Sequence, residues 1–159
     1  MLRYFPVLLL CLMVSACGPT IVYEKNYEIA DAGWQYSDTL NFDFEIDDTL
    51  RIYNLWLKVA HQTNYRYQNL YTQVHTTFPS GDRISETLSL ELANKSGQWQ
   101  GQCATENCTI YIPIQEGAFF NQAGNYQLTL EQYMRVDSLP NINSIAFELE
   151  ATGQNRKLD

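Results

Sequence analysis

The chain has 159 residues, with 18 acidic against 10 basic side chains and a net charge of −8. An acidic surface repels phosphate backbones, which argues against nucleic-acid binding and against an electrostatic grip on anionic lipid. Eleven Tyr, seven Phe and three Trp suit β-sheet faces, but such rings also line sugar-binding surfaces and protein interfaces.

The first element reads as a lipoprotein signal. Arg3 supplies a positive start, and residues 5–14 supply an apolar stretch interrupted by Pro6. That stretch is shorter than the roughly 20 residues a membrane span needs. It ends at Val14-Ser15-Ala16-Cys17, a lipobox at all four positions. The plain alternative is a secretory signal with a chance cysteine. On the lipobox reading residues 1–16 are removed and Cys17 is acylated. Each buried methylene is worth about 0.8 kcal/mol, so three acyl chains anchor the protein permanently. Gly18 rather than Asp follows the cysteine, and no acidic run comes after it. These features point to the outer membrane, on the side facing the periplasm.

Residues 17–33 read as the lipidated cysteine and a tether. Within them Ile21-Val22-Tyr23 can open an edge strand, and Gly33 breaks the chain before Trp34. A domain over 34–150 follows with period two. Leu40, Phe42, Phe44 and Ile46 alternate with Asn41, Asp43, Glu45 and Asp47, the mark of a half-buried strand. Tyr53, Leu55, Leu57 and Val59 repeat the pattern. Residues 61–69 are polar, rich in Tyr and without apolar period, so they read as a loop. Residues 70–78 and 83–92 make a hairpin around Pro79-Ser80-Gly81-Asp82. Strands at about 99–103 and 108–114 flank the Cys103 and Cys108 loop. Residues 117–125 connect onward, with Phe119-Phe120 plugging one end of the core. Tyr126, Leu128 and Leu130 begin a strand running toward Met134. Residues 137–141 are a loop, Ile145, Phe147 and Leu149 mark the last strand, and 151–159 read as a disordered polar tail. Eight or nine short strands without helical period predict an all-β antiparallel β-sandwich, of jelly-roll or Greek-key type.

Chemistry is sparse. Cys103 and Cys108 read as a local disulfide in an oxidising compartment, with two free thiols as the alternative. No further His or Cys stands near enough in sequence to make a metal site. The six-residue ring restrains the unfolded chain by about 2 kcal/mol. Asp43, Glu45, Asp47 and Asp48 form the densest acidic group. Calcium is conceivable there, but three of them alternate along one strand like a solvated outer face. His61 and His75 have no ligand spacing, and no Gly-x-Ser-x-Gly turn marks a nucleophile. No catalytic residue, metal, cofactor or small-molecule substrate is expected. Asp38-Thr39-Leu40, Asp48-Thr49-Leu50 and Asp137-Ser138-Leu139 match the Asp-Ser/Thr-apolar signal for periplasmic O-glycosylation in Bacteroidota, making Thr39, Thr49 and Ser138 candidate sites. An Asp-Thr turn ahead of a strand explains two of them equally well. Tyr65, Tyr67 and Tyr71 form a candidate interaction surface, unless their rings pack over a sandwich end.

Several stretches, taken in order, resemble one family. They include Phe42-Asp43-Phe44, Tyr53-Asn54-Leu55, Tyr67-Gln68-Asn69-Leu70 and Phe78-Pro79-Ser80-Gly81. Gly97-Gln98-Trp99-Gln100-Gly101, Gly124-Asn125-Tyr126, Gln132-Tyr133-Met134-Arg135 and Leu139-Pro140-Asn141-Ile142 follow. Behind a lipobox, this order resembles the GldH gliding-motility lipoproteins of Bacteroidota. The resemblance implies an acylated envelope protein, without enzymatic activity, that partners gliding or secretion machinery proteins. It carries over only Cys17 as a defined position, and the Cys103 and Cys108 loop stands outside its pattern. Two other readings compete: a glycan-binding surface lipoprotein, favoured by the aromatic count, and a hydrolase with an unrecognised site. The sandwich form hosts all three.

Overall fold

Successive side chains of a strand point to opposite faces, so the period-two stretches decide which residues meet. The structure, a computed structural model, describes residues 19–157. Cys17 and the rest of the signal lie outside them. Eleven strands follow in order: β1 (Thr20–Glu28), β2 (Trp34–Gln35), β3 (Thr39–Ile46), β4 (Arg51–Gln62), β5 (Asn69–Thr77), β6 (Arg83–Glu91), β7 (Gln102–Ala104), β8 (Asn107–Ala118), β9 (Gly124–Gln132), β10 (Ser138–Leu139) and β11 (Ile142–Asn155).

Two antiparallel sheets form the sandwich. One runs β1-β11-β4-β8-β7 and the other β3-β9-β5-β6, while β2 pairs with β10 alone. Without the three shortest strands, eight remain. Numbered along the chain, they lie in the orders 1-8-3-6 and 2-7-4-5. That is the jelly-roll arrangement, two Greek keys wrapped together. It decides between the two topologies left open by the sequence.

The core sits where the predicted inner faces meet. Leu40, Phe42, Phe44 and Ile46 of β3 are buried against Tyr53, Leu55, Leu57 and Val59 of β4 and Ile145, Phe147 and Leu149 of β11. Phe147 is fully enclosed, with its ring 5.6 Å from Phe42, 5.5 Å from Phe44 and 5.9 Å from Tyr23. Between the inner residues of β3, Asp43 and Glu45 stand exposed. Asp43 accepts a hydrogen bond from Gln127 Nε2 at 2.7 Å, and Asp48 pairs with Arg51 at 3.1 Å.

Several boundaries differ from the sequence reading. The strand expected at about 99–103 is only β7, and β8 runs on to Ala118, into the expected 117–125 connection. The expected tether is largely β1, which pairs with β11 from Thr20↔Ala151 to Glu28↔Ser144. Its inward residues are Tyr23, Lys25 and Tyr27, which do not read as apolar. Tyr27 Oη and Lys25 Nζ both donate to the Asn41 carbonyl, at 2.7 and 2.8 Å. The expected polar tail is still strand as far as Asn155. A register shift between Ala151 and Asn155 breaks the period. The Arg156 N–H then donates to the Leu50 carbonyl at 2.8 Å. Residues 61 and 62 prolong β4 instead of opening a loop. Ser138–Leu139 pairs with Trp34–Gln35 inside another expected loop. Phe119 and Phe120 part company: Phe120 packs edge-on against Tyr53 at 5.4 Å, whereas Phe119 is exposed.

The register also sorts the two ends of the sandwich. Thr20, where β1 begins, lies level with Ala151, Tyr53 and Ala118. This end carries the turns at 47–50, 78–82 and 119–123. The far end carries the segments at 29–38, 63–68, 92–101 and 133–141.

Candidate interaction surface

Tyr65 and Tyr67 are not on an open surface. The 63–68 turn folds over the far end of the core, and Tyr65 is 4% exposed. Its ring lies 5.9 Å from His61 and 5.6 Å edge-on to Tyr67, itself half-buried. The Tyr65 hydroxyl donates to the Asn69 carbonyl at 3.3 Å, and burial pushes the phenol well above the usual tyrosine range. Trp99 completes the cap. The Asn94 side chain accepts from the N–H groups of Ser96 and Gln98, both at 3.0 Å, turning the chain at Gly97. That turn returns Trp99 to donate to the Thr63 carbonyl at 3.2 Å.

His61 is the titratable member of this cap. It is fully buried, with its ring 4.6 Å from Trp99. Nδ1 lies 3.0 Å from the Gln62 carbonyl, which only accepts, so Nδ1 carries the proton. Nε2 is buried without a protein partner. Burial holds this imidazole below its ordinary value. Its neutral form therefore stabilises the fold above the unfolded-chain value, and that stability is lost as pH falls toward and through the folded one. His61→Phe keeps a ring against Trp99 and is expected to flatten the fall in urea midpoint between about pH 7.5 and 5. An unaltered slope would assign the pH dependence to other groups.

Tyr71 alone of the three predicted tyrosines is exposed. It stands on the outer face of β5, and the β5–β9 pairing brings Tyr133 beside it. The Tyr133 N–H donates to the Tyr71 carbonyl at 2.8 Å, and the Tyr71 N–H reaches Met134 Sδ at 3.3 Å. Tyr71, Thr87, Tyr133, Met134 and Arg135 line a shallow groove of about 460 Å³. Thr87 donates to Gln73 Oε1 at 2.8 Å on the same sheet face. The groove offers two rings, a guanidinium and a fringe of amide and hydroxyl groups. Tyr133 and Arg135 are the residues that sequence reasoning missed. Tyr133 shares parity with Thr129 and Glu131, opposite the inner Leu128 and Leu130, so its outward aim was readable. Its place beside Tyr71 was not.

Ser85, His75 and Glu131 adjoin on this face. Ser85 Oγ lies 2.6 Å from His75 Nδ1, and His75 Nε2 lies 3.6 Å from Glu131. The order looks like a nucleophile, a base and an orienting carboxylate. However, Ser85 is exposed on a flat sheet face, where water rather than aimed dipoles solvates a developing charge. We read it as a cross-strand polar ladder.

The remaining sequence candidates are dispersed. Cys103 and Cys108 are directly opposite across β7 and β8 and are joined by a disulfide at the hairpin tip. Thr39 is exposed at the start of β3 and Thr49 is half-buried in a turn. The Ser138 hydroxyl donates to the Ala32 carbonyl and accepts from Gln35 Nε2.

A family model described as GldH lipoprotein matches residues 21–149. The gliding motility lipoprotein GldH homolog of Christiangramia forsetii is 25% identical over 146 residues, covering 87% of this chain and 89% of that protein. The gliding motility lipoprotein GldH of Flavobacterium johnsoniae is 25% identical over 151 residues, covering 91% and 93%. Among solved structures, dimeric latent PorU from Porphyromonas gingivalis aligns with 81% of this chain at 9% identity and a TM-score of 0.32. This chain spans 12% of that one, and so loose a likeness carries no argument.

Proposed function

The chain belongs to the GldH lipoprotein family, and from that premise we propose that it is a non-catalytic, lipid-anchored protein of bacterial gliding motility and the associated surface-protein secretion. It acts by protein contact. The family match over residues 21–149, nearly the whole described sandwich, is the observation that carries the reading. Cys17 holds the protein in the outer membrane, on the periplasmic side. Partners of the gliding or secretion machinery meet the far end of the sandwich, where Tyr71, Tyr133 and Arg135 face outward. Tyr and Arg are the residue types that most often dominate a protein interface.

The test is a gene deletion scored together for colony spreading and for secreted surface proteins. Both are expected to fail and to return with the wild-type gene. A Tyr71→Ala/Tyr133→Ala double variant, present at normal level, is expected to restore neither. Losing two interface anchors of about 2 kcal/mol each weakens binding by roughly a thousandfold. Full spreading from the double variant would move the contact elsewhere, and normal spreading of the deletion strain would overturn the motility role.

The exposed rings beside Gln73 and Thr87 favour one second reading, a glycan-binding lipoprotein. Saturable heats from oligosaccharides titrated into residues 18–159, lost in the same double variant, would select it.

A further inference from the structure

The geometry points to a bilayer-docking surface on the end of the sandwich where β1 begins, formed by Ile21, Val22, Leu50, Ile84 and Phe119. The proposal rests on the reading that Cys17 is acylated, and it names the lipid interface itself as the occupant.

The first observation is covalent reach. Strand β1 opens at Thr20, so three residue steps separate it from Cys17. Even fully extended, they span about 10 Å. The headgroup layer on each side of a bilayer is about 5–8 Å deep, half the difference between the total and hydrocarbon thicknesses. A diacylglyceryl group on Cys17 therefore keeps Thr20 no farther than about 10 Å from the hydrocarbon boundary, within or just at the edge of the headgroups. The turns level with Thr20 are then the parts of the domain that reach the bilayer with the least tilt. A chain with the expected tether through residue 33 would leave the domain free to stand off. The structure has turned that tether into strand.

The second observation is where the apolar side chains lie. Among the described residues, the large exposed aliphatic and phenyl groups are Ile21, Val22, Leu50, Ile84 and Phe119. All belong to this end: the opening of β1, the 47–50 turn, the opening of β6 and the 119–123 connection. The other large exposed hydrophobics are tyrosines. Tyr36, Tyr71 and Tyr133 are at the far end, and Tyr111 is on β8 with Lys58 Nζ 5.2 Å from its ring centroid. Apolar side chains gathered at one end, unlike ones scattered singly, mark an interaction site.

Charge neither draws this end to lipid nor excludes it. Arg51, Arg83, Lys157 and Arg156, whose guanidinium sits 5.1 Å over the Phe119 ring, stand against Glu45, Asp47, Asp48 and Asp82. Docking is thus apolar and proceeds on zwitterionic lipid. With this end seated, the Tyr71 and Tyr133 groove faces away from the membrane.

Full-length lipidated protein, reconstituted in phosphatidylcholine vesicles with brominated acyl chains, tests this. Leu50→Trp, Phe119→Trp and, at the far end, Tyr71→Trp each add one fluorophore above the wild-type background. The added emission is expected to be quenched by half or more for Leu50→Trp and Phe119→Trp, and unaltered for Tyr71→Trp. Equal emission from all three in vesicle-bound protein would overturn the docking and leave these apolar groups to a protein partner. Protein that does not float with the vesicles would instead overturn the anchor, and the docking with it.

Discussion

Phe147→Ala is expected to destabilise the domain by about 3–5 kcal/mol, the usual cost of emptying a buried phenyl site. Marginal stabilities of roughly 5–15 kcal/mol leave little after such a loss. The position explains why the cost falls high in that range. Phe147 is on β11, hydrogen-bonded between β1 and β4, so its backbone cannot move toward the void. The rings it touches, Tyr23, Phe42 and Phe44, come from β1 and β3, which belong to opposite sheets. Collapse around the cavity would shift both layers together. Phe119→Ala is the matched control, because that ring is exposed and its loss leaves no cavity. Urea denaturation of residues 18–159 gives the comparison. An unfolding free energy for Phe147→Ala within about 1 kcal/mol of the control would mean that the two sheets repack freely.

The strands that sequence reasoning located are those whose inner residues are aliphatic or phenyl. Leu40 to Ile46, Tyr53 to Val59 and Ile145 to Leu149 announce themselves by period two, and burial follows the alternation. The opening of β1 at Ile21-Val22-Tyr23 was readable, but its length was not, because Tyr23, Lys25 and Tyr27 fill the inner side. Each has an apolar stem and a polar tip, and residue type does not say that two tips find the Asn41 carbonyl. The same ambiguity left Tyr65 open between a contact surface and a ring packed over the sandwich end, which is where it lies. A tyrosine serves equally as a wet anchor or as a core ring with a satisfied hydroxyl, and Trp99, over thirty residues away, decides which. Pairing order was not readable either. It places β4 between β11 and β8, and β5 beside β9, through contacts between distant parts of the chain. The Tyr71 and Tyr133 groove depends on the second of those pairings. The antiparallel sandwich was legible as a class, whereas its jelly-roll order and the groove were not.

Cys17→Ser is expected to abolish palmitate labelling and leave a precursor that retains residues 1–16. It should also fail to restore spreading or secretion in the deletion strain. The effect is all-or-none for a reason of magnitude. One acyl chain gives only reversible binding, near 10⁴ M⁻¹, and stable residence takes two or more. The exposed groups at the β1 end do not replace them. Two of the five, Ile21 and Val22, are next to the anchor, and the others are single side chains on separate segments: the 47–50 turn, the opening of β6 and the 119–123 connection. On the docking proposal, their part would be to set the tilt of a domain already held by its lipid. Removing the lipid and removing the apolar face should therefore differ in kind. Cys17→Ser leaves an unprocessed precursor that is never anchored through acyl chains at its location, whereas charged substitutions at Leu50 and Phe119 leave the mature protein labelled and membrane-bound but free to reorient. Normal labelling of Cys17→Ser would place the acylated residue elsewhere. The three-step reach to Thr20, on which the docked orientation depends, would then no longer apply.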